Sequence, residues 1–152
     1  MIMAYSIFEI ADWFLAKESM TPKKLQKLAY YAESWSRALL DRSIVQDTEF
    51  EAWAHGPVSP ELYDKYRDYG WNDIPKNNKF VDISDEKDLD LLESVWLTYG
   101  EMSANALEAQ THVETPWKNA RFRGQADEGD FCKEKISKED MANFYKSIYA
   151  GD

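Results

Sequence analysis

The chain has 152 residues, 44% hydrophobic and 14% aromatic, with a formal net charge of −10. That length makes one domain and encloses a core, and the lone cysteine, Cys132, rules out an internal disulfide. The acidic balance, with nine acidic residues and one lysine between Asp82 and Glu114, lacks the basic stripe that phosphate contacts need, so nucleic acid is not an expected partner.

Ser6-Ile7-Phe8-Glu9 has the form of a capping box, and Ile7, Ile10, Ala11, Phe14 and Leu15 follow helical spacing through Ala16. The short link Lys17 to Met20 favours an antiparallel neighbour. That neighbour, Thr21 to about Leu40, is the helix around which the chain is organised. Thr21 is its expected N-cap and Pro22 its first residue. Leu25, Leu28, Ala29, Ala32, Trp35 and Leu39 form one face, widened by Tyr31 and Leu40 and broad enough for several neighbours. Lys23, Lys27, Tyr30, Ser34 and Arg37 lie opposite and are expected to meet solvent or a partner.

After Leu40 the pattern changes. Ile44-Val45 and Phe50 to His55 are expected to pair as a small ribbon, a β insert around residues 44–55. Gly56-Pro57-Val58-Ser59-Pro60 ends regular structure and restarts a helix capped by Ser59, carried by Leu62, Tyr63, Tyr66 and Tyr69 and stopped by Gly70. Trp71 to Ser84 has no period and reads as a loop whose end is tethered by Phe80, Val81 and Ile83. Ser84 is the expected cap of the next helix, with Leu89, Leu92, Val95, Trp96 and Tyr99 inward and Gly100 at its end.

Ser103 opens a shorter helix through Ala106, Leu107 and Gln110. Thr115-Pro116-Trp117 starts another in the manner of Thr21-Pro22, and Gly124 to Gly129 is a loop. Ser137 caps a last helix bearing Met141, Phe144, Tyr145 and Ile148. The expected fold is predominantly α: a single domain over residues 1–152, of six or seven helices with one small extended insert.

His55, His112 and Glu114 have the chemistry of an active site. A histidine and a carboxylate two apart suit a base with its orienting group, or a metal. The two histidines lie far apart with no cysteine near either, which falls short of a metal-binding spacing. A structural reading is preferred: His112 ends its helix, where an imidazole bonds free carbonyls, and His55 holds the turn before Gly56-Pro57. Cys132 has Lys133 and Lys135 beside it but no legible base, so an inert thiol is expected. No phosphate loop and no nucleophile turn is present, and no cofactor is expected.

Six Trp, nine Tyr and seven Phe exceed what a core of this size needs. Part of this aromatic surface is expected to face a partner, while tyrosines at the core edge with hydroxyls in water account for the rest. A basic protein partner suits the net charge, as does a plainly solvated acidic face. No apolar run approaches the roughly 18 residues of a membrane span, and the N-terminus, without a basic start and a long apolar core, is not expected to be a signal peptide. With its single cysteine, the expectation is a soluble cytoplasmic protein without a membrane partner.

Four stretches stand out by their order: Leu25-Gln26-Lys27-Leu28-Ala29-Tyr30-Tyr31-Ala32; Glu51-Ala52-Trp53-Ala54-His55-Gly56-Pro57-Val58 with Pro60 and Tyr63; Val95-Trp96-Leu97-Thr98-Tyr99-Gly100; and Thr111-His112-Val113-Glu114-Thr115-Pro116-Trp117 with Ala120-Arg121. Together they resemble the motifs of the Panacea domain, the SocA-like antitoxin family of bacteria and phages. Two stretches depart from it. Leu40 to Val45 lacks the glycine turn often found there in the family, and Trp71 to Ser84 matches nothing in the pattern.

The resemblance implies the antitoxin of a toxin–antitoxin system, of the kind that serves in phage defence. It would neutralise a cognate protein toxin, encoded by the adjacent gene, through direct binding. SocA-like relatives also act as adaptors that deliver a toxin to a protease, which is the alternative; a small hydrolase using His112 and Glu114 is a further one. Neither antitoxin role needs a catalytic residue, cofactor or metal. Under the resemblance, Gln26, Trp53, His55, Gly56, Pro57, Tyr63, Trp96, His112, Glu114, Pro116 and Trp117 serve the scaffold. Toxin contacts are expected where the family pattern runs out, at Tyr66, Tyr69, Trp71 and Phe80.

Overall fold

The computed structural model of the protein describes residues 4–150. Among them lie seven α-helices: α1 (Ile7–Leu15), α2 (Pro22–Leu39), α3 (Pro60–Tyr66), α4 (Glu86–Tyr99), α5 (Ala104–His112), α6 (Thr115–Arg123) and α7 (Lys138–Ala150). Two three-residue strands, β1 (Glu51–Trp53) and β2 (Gly56–Val58), form an antiparallel hairpin, and one turn of 3-10 helix, Arg67–Tyr69, follows α3. The fold is predominantly α, as the amphipathic spacing predicts.

The caps explain most helix starts. The Ser6 hydroxyl accepts from the Phe8 amide and Glu9 accepts from the Ser6 amide, both at 3.1 Å, completing the capping box. Thr21, Ser59 and Ser103 cap α2, α3 and α5, and Ser137 accepts from the Asp140 amide at the start of α7. Two starts differ from the sequence reading. Asp85, not Ser84, caps α4, its carboxylate accepting from the Lys87 and Asp88 amides; a charged acceptor also suits the positive helix end. Glu114 occupies the cap position of α6 in place of Thr115 but makes no capping bond, because its carboxylate is engaged in the interior.

Twelve of the 18 residues of α2 are buried, and α1, α3, α4, α5, α7 and β2 all pack against it. This overturns the expected outward face. Tyr30 and Ser34 are fully enclosed and Lys27 is 1% exposed. The cause is coverage from both sides: the ring of Tyr145 on α7 packs edge-on to Tyr30, and β2 lies over Lys27. α4 is also rotated from its expected stripe, turning Asp88, Leu91, Leu92, Val95 and Tyr99 inward while Leu89 is 36% exposed. Asp88 is tolerated inside because Arg42 and the Tyr5 hydroxyl hydrogen-bond to it, at 2.7 and 3.1 Å.

The ribbon is built differently from its expectation. β1 pairs with β2, Glu51 opposite Val58 and Trp53 opposite Gly56, so the Gly56-Pro57 stretch continues the sheet instead of ending it. On its other edge β1 takes the chain near Lys135, with Ala52 N donating to Glu134 O and Ile136 N to Phe50 O, both at 2.9 Å. Val45 instead bridges Tyr5. In the following loop Ile74 is buried and pairs with Met20, whereas Phe80 lies 89% exposed and tethers nothing; Ile83 is buried as expected.

Asp41 explains how the turn after α2 manages without a glycine. Its φ is 55°, in the left-handed region that aspartate tolerates better than most side chains. Beyond it the buried Glu33 carboxylate accepts from the Ile44 amide at 2.8 Å and the Val45 amide at 3.2 Å, holding the chain as it leaves the turn. A β-branched residue at position 41 should therefore cost about 1 kcal/mol or more, and glycine should cost nothing or stabilise. Urea unfolding of Asp41→Val and Asp41→Gly measures both.

Candidate functional site

Two polar constructions are built on α2. The first lies in the core. Glu114 is 3% exposed, and its Oε1 accepts from the hydroxyls of Tyr31 at 2.9 Å and Tyr145 at 2.7 Å, while Gln110 Nε2 donates to Oε2 at 3.2 Å. Tyr145 also meets the Tyr30 hydroxyl at 3.2 Å; since its own hydrogen goes to the carboxylate, Tyr30 is the donor of that pair. Burial pushes the Glu114 carboxyl above its ordinary range, against three donors that favour the charged form. Tyr31 stacks on Tyr99 with ring centres 4.0 Å apart, and Trp35 donates to the Tyr99 hydroxyl at 2.9 Å.

The second lies between α2, the hairpin and α5. Gln26 and Ser59 exchange two hydrogen bonds, side-chain amide to carbonyl at 3.0 Å and backbone amide to side chain at 2.8 Å, fixing α2 to the start of α3. The next residue, Lys27, donates to Pro57 O at 3.2 Å. Burial lowers its ammonium to about 7, Lys23 adds to the effect, and Glu108 opposes it. The hairpin comes this close because position 56 has no side chain: its φ is 110°, and a Cβ there would lie 2.6 Å from Lys27 Cε.

Glu108 collects the charges around this lysine. Lys23 pairs with it, His55 Nδ1 lies 3.3 Å from its Oε2, and His112 Nε2 lies 3.9 Å from the same oxygen. Although burial acts to raise it, the hydrogen bonds from Lys23 and His55 hold the Glu108 carboxyl below its ordinary value. His112 ends α5 as read, but it bonds no carbonyl. Its ring lies flat on Trp117, centres 4.1 Å apart, and burial lowers its basicity. No hydrogen bond joins His112 to Glu114 among the described residues, and no group of three or more His, Cys, Asp or Glu there is placed to hold a metal ion.

Above these residues opens a cleft of about 730 Å³, within the range of ligand sites. Trp53, Tyr63, Tyr66, Trp71 and Phe131 supply its aromatic walls, and Lys23, Lys27, His55 and Arg67 its charged lining. Trp53 is held by edge contacts with Tyr63 and Phe131, and its carbonyl accepts from the Trp117 indole at 2.9 Å. Buried Arg121 anchors the same corner, donating to the carbonyls of Ala52, Asp127 and Asp130.

The four expected contact residues are distributed unevenly. Tyr66 and Trp71 line the cleft; Tyr69 stands beside Tyr66, ring centres 6.1 Å apart; Phe80 is not part of the lining. Trp71 is 79% exposed. Of the family-motif residues, Gln26, Trp53, His55 and Tyr63 line the cleft, while Glu114 sits in the core. Trp96 is half-buried against Gly100, where a Cβ would meet the Trp96 ring at 2.7 Å, and Pro116 is buried at the start of α6. Sequence reasoning missed Glu108, Lys27 and Phe131 as site residues. The i, i+4 spacing of Glu108 and His112 was a usable signal for the first; Phe131, past the Gly129 turn, offered none.

The described residues thus form a mainly helical structure around one central helix, with an aromatic cleft at the hairpin. The chain belongs to the SocA-like antitoxin family: the family model for the antitoxin SocA-like Panacea domain matches residues 25–118. No curated protein and no solved structure matches it. Among the described residues no helix is long and apolar enough to cross a membrane.

Glu114→Ala strands two buried hydroxyls and should cost about 2–4 kcal/mol, whereas Glu114→Gln keeps an acceptor for both and should unfold close to the parent in urea. Lys27 gives a pH signature. Its folded value is about 7 against an ordinary 10.5, so between these the unfolded chain binds the extra proton and stability should rise with pH, by about 1 kcal/mol per unit. Lys27→Met should flatten that rise, read from urea midpoints at mildly alkaline pH.

Proposed function

We propose that this protein neutralises a cognate protein toxin by direct, stoichiometric binding, covering or distorting the toxin's active site without modifying it. The observation that carries this reading is an open aromatic cleft on a member of an antitoxin family. Aromatic residues commonly anchor interfaces, and Trp71, 79% exposed, lines this cleft together with Tyr66. Tyr69 and Phe80 extend the contact outward. The whole chain acts as one domain in the cytoplasm, and the toxin is the product of the adjacent reading frame.

The role proposed is not catalytic. A catalytic antitoxin needs a nucleophile with a base, or a loop that cradles phosphate. Here the His112 ring lies on Trp117 while Glu114 serves three donors elsewhere, and Cys132 is buried with the Glu134 amide at 3.4 Å from its sulfur.

The adjacent reading frame should stop growth when expressed alone, with growth restored when both are expressed. In a purified mixture the toxin should lose activity only as the antitoxin approaches equimolar amounts; inactivation by a small fraction of that amount would overturn the reading. Trp71→Ala should weaken toxin binding by about 2 kcal/mol and leave the melting temperature unchanged. A lower melting temperature with binding retained would place Trp71 in the fold instead.

A further inference from the structure

We infer that the cleft receives an acidic, aromatic segment of the toxin, its aromatic side chain against Trp53, Tyr63 and Tyr66 and a neighbouring carboxylate turned toward Lys23, Lys27 and Arg67. The inference rests on the reading of the partner as a protein toxin and adds its chemistry at the contact.

The chain carries 28 acidic and 18 basic residues, yet the charged residues lining the cleft are Lys23, Lys27, Arg67 and His55, with no carboxylate among them. Two carboxylates stand close behind the lining: Glu108, already shared between Lys23 and His55, and Asp64 beside Arg67. Among the described residues Lys27 has one hydrogen-bond acceptor, the Pro57 carbonyl, which leaves N–H capacity open toward the cleft. Arg67 has only an exposed contact with Asp64 at 4.0 Å, which contributes little and leaves the guanidinium available. A basic segment would meet the charges of Lys23 and Arg67, and a purely apolar one would cover Lys27 without supplying an acceptor. An acidic residue beside an aromatic one satisfies both the walls and the charge. The volume of about 730 Å³ suits a few side chains of such a segment.

The test uses the full chain, immobilised and panned with a display library of random nonapeptides. Enriched peptides should carry Asp or Glu next to Trp, Phe or Tyr, and purified toxin should compete with them. Arg67→Glu, on an exposed side chain, should weaken these peptides about tenfold at low salt and less at high salt. Lys27→Met should remove the preference for an acid while aromatic selection remains. Enrichment of basic or purely apolar peptides, or of none, overturns the inference. So does indifference of the acidic peptides to Arg67→Glu, or a dimer of this chain that dissociates on that change and so gives the cleft to a second copy. If acidic peptides bind but the toxin does not displace them, the inference fails while neutralisation stands. If the adjacent frame encodes no toxin, the neutralisation reading fails, and with it the identity of the occupant, while the peptides still report the cleft's own preference.

Discussion

The hydrogen bonds that Tyr31 and Tyr145 give to Glu114 hold the rest of the structure in place. A carboxylate taken out of water costs several kcal/mol unless donors replace its hydration, and three side chains do so here. Those donors come from α2, α7 and α5, while Glu114 itself begins α6, so four helices meet at one group. The direction of each hydroxyl is set by the next, from Tyr30 to Tyr145 to Glu114, which makes the arrangement specific as well as stable. Tyr145 lies beyond the segment matched by the family model, so the polar centre of that segment is completed by a helix outside it.

Much of this was legible in the chain, for a physical reason. Caps and prolines act locally, so Ser6, Thr21, Ser59 and Ser103 announce their helices whatever surrounds them. Faces are decided by neighbours, and there the reading went astray. Periodicity assigns Lys27, Tyr30 and Ser34 to the outside of α2 because a polar face usually meets water. It has no means of showing that a helix over a hundred residues later brings Tyr145 against Tyr30, or that a hairpin closes over Lys27. The same limit hid the strand pairing. Proline and glycine usually end a strand, but Pro57 sits opposite Ala52 in a two-stranded hairpin and Gly56 takes a backbone angle that other residues resist.

The cleft was only half legible. Tyr66 and Trp71 stood out because they fall where the family pattern stops, and both line it. Its lining also takes positions inside the first two motifs, Gln26, Lys27, Trp53 and His55, and motif membership drew attention to their part in the scaffold. One stretch serves both ends, since α2 sends Tyr31 to the core and Lys27 to the cleft only four positions apart.

That division separates what each polar residue does for the fold. Glu114 has three donors, and removing it would strand two buried hydroxyls, so its place is explained by stability alone. Lys27 is different. Its ammonium has one carbonyl partner, burial lowers it to about 7, and a methionine of similar length would fill the same space without a charge to desolvate. The place of Lys27 in a cleft whose charged lining is basic, on a chain that is otherwise strongly acidic, supports the proposed recognition of a negative group.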